Sequence, residues 1–453
     1  MVSKRKSVSM LLAVLTAASV FAGGGKDARA ADAVSRVVLE VLNYADPAVA
    51  NADSDQSRIW GDFAAANPDV ALNREDLFNE PFHNKVEAYV ASGNIPDVMI
   101  VWPSGRSNSL HSRGFLKDLS SLVSKDRLKN SFLPITWDTS QIAGGRQTMI
   151  PQSLTVSHVF YANLEVLNDC GLVPAKTYAE LKAQTPVLWS RGYECVIMPG
   201  KSSWVMQSCL FSMVAGRFCG ADWHNRILSG QAKFTDQDFV KGLDFIQAIF
   251  ADGVIARSSL GMDYGDGPGL FAADRSACYI DGDWRCGAFI TDEDSGLALL
   301  SHARQKNILV GVFPDIEGAK LNKSSSTIIG TGWAMSAAIP AGSAKEDAAW
   351  RLIKYLVSAE VLGLSVEHGR IVTPTRADID FGKLALEPIQ QAVGKLGTQY
   401  TTGTVVIDGV FHSDVYNPIN EGLAGIAAGT RTPRQVAAEI QRDFDRAKAE
   451  GRF

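Results

Sequence analysis

Four places in the sequence set an aromatic ring just after a run that reads as a strand, three of them beside acids, amides or an arginine and the fourth in a glycine turn. Asn43, Tyr44 and Asp46 follow Val37–Leu42; Trp102, Ser104 and Arg106 follow residues 97–101. Asp281, Asp283 and Trp284 follow Ala277–Ile280, and Gly330, Gly332 and Trp333 follow Thr327–Ile329. In open α/β sheets, ligands bind outside the carboxyl ends of the strands. An indole or phenol ring packs well on the flat C–H face of a pyranose. Asp and Arg supply charge-assisted hydrogen bonds to its hydroxyl rim. This pattern therefore suits a sugar cleft. Trp102 and Trp284 are read as cleft residues; Trp204 and Trp333 are divided between cleft and core. Trp60 and Trp350 lie on helix stripes and are read as core, and Trp137, Trp189 and Trp223 are unassigned.

Other chemistry is poorly served. Gly200-Lys201-Ser202 resembles the end of a phosphate loop, but Cys195 stands where its first glycine is required. Residues 261–269 are glycine-rich without dinucleotide or calcium-loop spacing. GxSxG and HExxH are absent. The seven histidines do not cluster and the six cysteines show no CxxC pair, so no metal centre or cofactor is expected. Asp281 and Asp283 could serve glycoside hydrolysis, but alternate acids around a glycine beside Trp284 read better as hydroxyl acceptors. Asp292-Glu293-Asp294 reads as a solvated turn.

The elements that must position these residues follow a βαβαβ pattern. Val37–Leu42 is apolar and β-branched, as a strand covered on both faces should be. A helix carrying Ile59, Trp60 and Phe63 follows, stopped by Asn67-Pro68. Strand 70–78, a helix striped by Phe82, Val86, Tyr89 and Val90 and ended by Gly93, and strand 97–102 complete an open parallel sheet. Further on, strands 156–161, 277–280 and 308–313 alternate with helices 239–250 and 344–357. Thr177 reads as an N-cap before residues 178–183. The last helix starts with Thr432 as N-cap and Pro433 at its first position, and stripes Val436, Ile440 and Phe444. Two α/β lobes without a low-complexity linker imply a chain that crosses between them more than once.

The 453 residues are 46% hydrophobic and 21% charged, which excludes global disorder. A net charge of −5 with scattered Lys and Arg argues against a nucleic-acid partner. Lys4-Arg5-Lys6, an apolar stretch over residues 7–22 and Ala28-Arg29-Ala30 read as a secretory signal cleaved after Ala30. No cysteine near that point offers a lipid anchor, which favours a free periplasmic protein. An oxidising compartment permits disulfides; Cys209–Cys219 and Cys278–Cys286 are possible local bridges, with buried free thiols elsewhere.

Motifs in order along nearly the whole mature chain resemble the extracellular solute-binding proteins of ABC importers, the family of maltose and multiple-sugar binders. Ala91-Ser92-Gly93-Asn94-Ile95-Pro96-Asp97-Val98 is similar to an SGxxPDV signature. Ile150-Pro151 with Phe160-Tyr161-Ala162-Asn163 resembles a crossing segment, with Ala162 in place of the usual Asn. Cys170-Gly171-Leu172, Pro174 and Thr177 to Leu181 resemble AGL…P.TW.EL, with Cys170 and Tyr178 as departures. Phe271, Ala277 and 279–284, then Val312-Phe313-Pro314, Gly330-Thr331-Gly332 and Gly429-Thr430-Arg431-Thr432, complete the set. The resemblance implies a two-lobed, type II periplasmic-binding-protein-like α/β fold with crossing hinge strands. Its lobes would be residues 31–152 with 315–360, and 153–314 with 361–453. It implies a monomer, without enzymatic activity, that closes on a mono- or oligosaccharide and docks to ABC permease subunits. Tyr44, Asp46, Trp102 and Arg106 would face the ligand from one lobe and Asp281 and Trp284 from the other. Tyr161 would lie near the crossing, and Trp204, Trp333 and Arg370 are further candidates. An exported carbohydrate-active enzyme, or a binder of a peptide, polyamine or metal complex on the same fold, stays open.

Overall fold

The first sheet grows from the N-terminal alternation. In the computed structural model, which describes residues 36–103, 105–396 and 404–451, β1 (Val37–Tyr44) pairs in parallel with β2 (Val70–Leu77) and β3 (Val98–Val101). The expected signal segment with its cleavage point at Ala30, and Ser104, lie outside the described residues. The register Tyr44↔Leu77 brings the carboxyl ends of β1 and β2 level. Helix Ala52–Ala66 buries Ile59, Trp60 and Phe63 and carries Asp53 and Asp55 in its first turn, complementing the helix dipole. Helix Glu80–Ser92 buries Phe82, Val86 and Val90 and ends at Gly93 with φ 76°, a conformation that costs glycine little.

The sheet is mixed rather than purely parallel. Its order is β2-β1-β3-β11-β4, where β11 (Gly332–Met335) runs antiparallel to β3 and to β4 (Ile150–Pro151). β11 returns from the other lobe instead of following a helical crossover, so nothing imposes the parallel direction. The second sheet, β7-β8-β6-β9, is also mixed. β7 (Glu194–Ile197) is parallel to β8 (Ser276–Asp281), while β6 (Val159–Asn163) runs antiparallel to β8 and to β9 (Ile308–Gly311).

A three-stranded antiparallel sheet of β10 (Thr327–Ile329), β5 (Ser153–Val156) and β12 (Thr373–Pro374) joins the two halves, so the chain crosses three times. Gly330 is required where these crossings meet. A Cβ there would sit 2.4 Å from the Ser153 hydroxyl and 2.5 Å from that of Thr155. Buried Arg217 braces the return crossing, donating to the carbonyls of Phe313 and Pro314 at 2.8 Å each.

One core packs against the first sheet, around Leu39, Phe63, Val86, Ile100 and Trp350. Others flank the second, around Leu210, Phe239, Ile246, Ile280 and Phe444, and around Phe271, Tyr279, Phe289 and Ile389. Each large apolar side chain so buried contributes about 1.5–3 kcal/mol. Val361, Leu362, Val366 and Ile371 pack in the first core, whereas the sequence boundaries put them in the second lobe. Helix Ala359–Glu367 follows helix Ala344–Leu356 after a two-residue step, so its apolar face meets the same sheet; the chain crosses only at β12. The terminal helix Pro433–Ala449 begins as expected, with a Thr432–Gln435 capping box, and buries Val436, Ile440 and Phe444.

All six cysteines are free. Cys209 and Cys219 lie ten residues apart on one continuous helical run, 203–219, or about 15 Å at 1.5 Å per residue, beyond disulfide reach. Cys278 and Cys286 belong to different cores.

Candidate ligand-binding site

The aligned strand ends of the first sheet build an aromatic wall. Tyr44 at the end of β1, Phe78 after β2 and Trp102 after β3 form one cluster, with ring centroids 5.3 Å (Tyr44–Phe78) and 5.2 Å (Tyr44–Trp102) apart. The Ser107 hydroxyl accepts from Trp102 N at 3.0 Å, and the buried His111 ring bonds Trp102 O at 2.8 Å, fixing the indole's backbone. His83 lies 4.9 Å from the Trp102 ring. Burial, reinforced by the Arg106 charge, lowers its pKa to about 2, so it is a neutral imidazole that can donate one hydrogen bond and accept another.

The second lobe answers with three more rings. Trp204 and Trp284 stand 6.1 Å apart, and Tyr264 lies 4.9 Å from Trp204. A relay behind them sets their orientation. The Trp284 indole N–H donates to the Tyr264 hydroxyl (2.6 Å), which donates to Asp281 Oδ1 (3.2 Å). Asp281 also accepts from the Tyr279 hydroxyl (2.6 Å) and from Gly282 N (2.8 Å). Arg285, 1% exposed, bridges Asp281 and Asp46 at 3.3 Å each, with its guanidinium 4.1 Å from the Tyr264 ring centroid. Burial raises the pKa of Asp46, opposed by that arginine.

Both walls enclose one cavity of about 280 Å³. Tyr44, Asp46, Trp102, Arg106, Trp204, Trp284, Trp333 and Arg370 all line it. Two expected residues do not. Tyr161 is fully buried, donating its hydroxyl to Gly282 O at 3.1 Å; in the middle of β6 it faces the sheet's own core. Asp281 is fully buried behind Tyr264 and Trp284 and acts through them. Trp60, read as core, is both core and cavity wall, its ring 5.9 Å from that of Trp333. Trp350 is core, its indole N–H bonded to Asp126.

Sequence reasoning missed several lining residues. Phe78, Asn79 and His83 follow β2 and would have been found by applying the strand-end rule to that strand too. Asn79, at φ 55° and ψ −137°, donates to the Ser202 hydroxyl (3.2 Å) and accepts from the Trp204 indole (3.1 Å) across the cleft. Ser208 lies in a π-helical turn and donates to Asp408 Oδ1 at 3.0 Å; Asp408 in turn meets Arg106 at 3.4 Å. No sequence pattern marks either. The 292–294 turn is not merely solvated: Asp292 accepts from Asn51 N at 2.9 Å, and Glu293 N donates to Asn51 Oδ1 at 2.6 Å, tying the lobes together. Among the described residues no group of His, Cys, Asp and Glu could hold a metal ion.

Residues 60–379 match the family model described as bacterial extracellular solute-binding protein. Among solved structures, the chain is similar to a chitin oligosaccharide binding protein (TM-score 0.80, 19% identity, 92% of this chain and 100% of that one). It is also similar to a structure from work on xylan utilization by Caldanaerobius polysaccharolyticus (TM-score 0.77, 22% identity, 90% and 99%). A third is a maltose/maltodextrin-binding domain from Bdellovibrio bacteriovorus bound to maltotriose (TM-score 0.68, 15% identity, 92% and 100%). No curated protein sequence matches.

Proposed function

This chain belongs to the family of bacterial extracellular solute-binding proteins, and from that premise we propose that it captures a neutral saccharide between its lobes and delivers it to an ABC permease. The observation that carries the reading is that Trp102 from one lobe and Trp204 and Trp284 from the other line a single cavity. Rings on both sides cover the two C–H faces of a pyranose, burying apolar area that water would otherwise wet. Its hydroxyls meet His83, Gln152, Ser153, Thr155 and Thr331 on the same walls. Tyr44, Asp46, Arg106, Trp333 and Arg370 flank the ligand, and Asp281 positions rather than touches it.

Charge supports a neutral guest. Each charged residue on the described cavity wall has an ion-pair partner: Asp46 with Arg285, Arg106 with Asp408 and Glu80, Arg370 with Asp55. A polyamine or an acidic ligand would have to break such a pair and leave a buried charge behind. The carboxylates Asp46 and Asp408 are engaged in the same pairs, which disfavours a hydrolase that needs two free ones.

The mechanism is binding without chemistry. Arg106–Asp408, Arg285–Asp46 and Asn79–Trp204 form only when the lobes meet. A ligand touching both walls binds the closed form better and shifts the population by that difference. The exported chain acts as a monomer, released to the periplasm after cleavage near Ala30, with lobes exchanging at the hinge crossings. A thermal-shift screen over neutral mono- and oligosaccharides tests this. At least one should raise the melting temperature in a concentration-dependent way. Stabilisation by peptides or polyamines, with no response to any saccharide, would overturn it.

A further inference from the structure

The cavity is not uniform. Towards the hinge it is lined by hydroxyls and amides, but its first-lobe end is walled by Ile59, Trp60, Trp333, Leu356, Val361 and Ile371. These side chains are 3–8% exposed and belong to the first core. The polar groups at this end mostly face one another, with Arg370 Nη1 set against Asp55 and making no further hydrogen bond. Gln56 Oε1 accepts from both Asn43 (3.0 Å) and the Trp60 indole (2.6 Å). Arg370 pairs with Asp55 and donates to the Ser365 hydroxyl at 3.0 Å, and that hydroxyl donates to Val361 O at 2.7 Å. A sugar hydroxyl pushed into this end would exchange water for hydrocarbon and gain few partners, which is unfavourable. A methyl, acetyl or phenyl group placed there would gain from burial instead.

We propose, building on the saccharide reading above, that the ligand is a neutral saccharide bearing a compact apolar substituent, which the Ile59–Trp60–Trp333–Val361 end of the cavity accepts. Specificity within the sugars then comes from the first lobe's apolar pocket, while the facing tryptophans recognise the ring in general. A matched apolar group in such a pocket is worth about 10-fold or more in affinity.

The test is titration calorimetry of the mature chain with four pairs of neutral sugars: maltose, cellobiose and xylobiose against their phenyl glycosides, and cellobiose against N,N′-diacetylchitobiose. At least one substituted member should bind about 10-fold or more tightly than its parent. Val361→Phe, which fills the pocket, should bring that ratio towards one in protein that melts cooperatively. Parents that bind with no substituted partner tighter would overturn the inference and leave the saccharide reading intact. A ratio unchanged in folded Val361→Phe would overturn it as well. No binding by any member of any pair would overturn the inference, while the saccharide reading stands or falls with the thermal-shift screen.

Discussion

Replacing Trp284 with alanine should weaken saccharide binding about 100-fold and leave the fold standing. The side chain is only partly buried, and its ring edge is held by the 2.6 Å bond to Tyr264 and by Trp204 at 6.1 Å. An aromatic side chain buries roughly 150–250 Å² in all. If about a third of that faces the sugar, some 25 cal/mol per Å² gives about 1–2 kcal/mol. Ring electrostatics add about 0.5–1.5 kcal/mol. The sum, about 1.5–3.5 kcal/mol, corresponds to a factor of about 10–300 in affinity. Tyr264 keeps Asp281 as acceptor, so the relay behind the ring loses one donor without collapsing. Calorimetric titration with the best saccharide from the screen reads the affinity, and thermal melting reads the fold. Trp284→Phe retains a ring without the N–H and should fall between the two. A Trp284→Ala protein that melts normally and binds within threefold of wild type refutes the stacking argument.

Asn79→Ala removes two cross-cleft hydrogen bonds, each worth about 0.5–1.5 kcal/mol, and should speed ligand release about 5- to 150-fold in stopped-flow fluorescence; an unchanged release rate would show that the latch carries no closure energy. Burial raises the pKa of Asp283 to about 7, against the stabilising Val156 N–H at 2.9 Å. Between about pH 4 and pH 7 the folded chain then holds a proton that the unfolded chain has lost, so stability falls as pH rises through that window, by about 4 kcal/mol at most. Asp283→Asn keeps an acceptor for Val156 and should flatten that slope in denaturant titrations at pH 5 and pH 8; parallel slopes would contradict the assignment. Because all six cysteines are free, thiol titration of the denatured mature chain should find six groups, and dithiothreitol should leave its melting temperature unchanged; fewer thiols would mean that a bridge forms.

Local order was legible because it depends on neighbours in the chain. Strand runs, the Gly93 stop, the Thr432 cap and the inward stripe of the last helix follow from side-chain period and capping chemistry. The strand-end rule likewise found Tyr44 and Trp102, because a parallel β1–β2–β3 arrangement forces those carboxyl ends to one edge, and Trp284, which follows β8, the parallel neighbour of β7 in the second sheet. Only the tertiary structure could assign what depends on which distant segments meet. β11 entered antiparallel because it came from the other lobe, and 361–371 joined the first core through its packing. Tyr161 and Asp281 share the residue types of a sugar site, yet they lie behind the cavity wall, because alternation along β6 and the partners around Asp281 turned them inward. Ser208 and Asp408 became site residues only because three crossings of the chain closed one lobe on the other. Sequence determined the pieces and their chemistry; the long-range pairing of strands and the burial of each side chain decided which pieces share a cavity, since both are set by contacts between residues far apart in the chain.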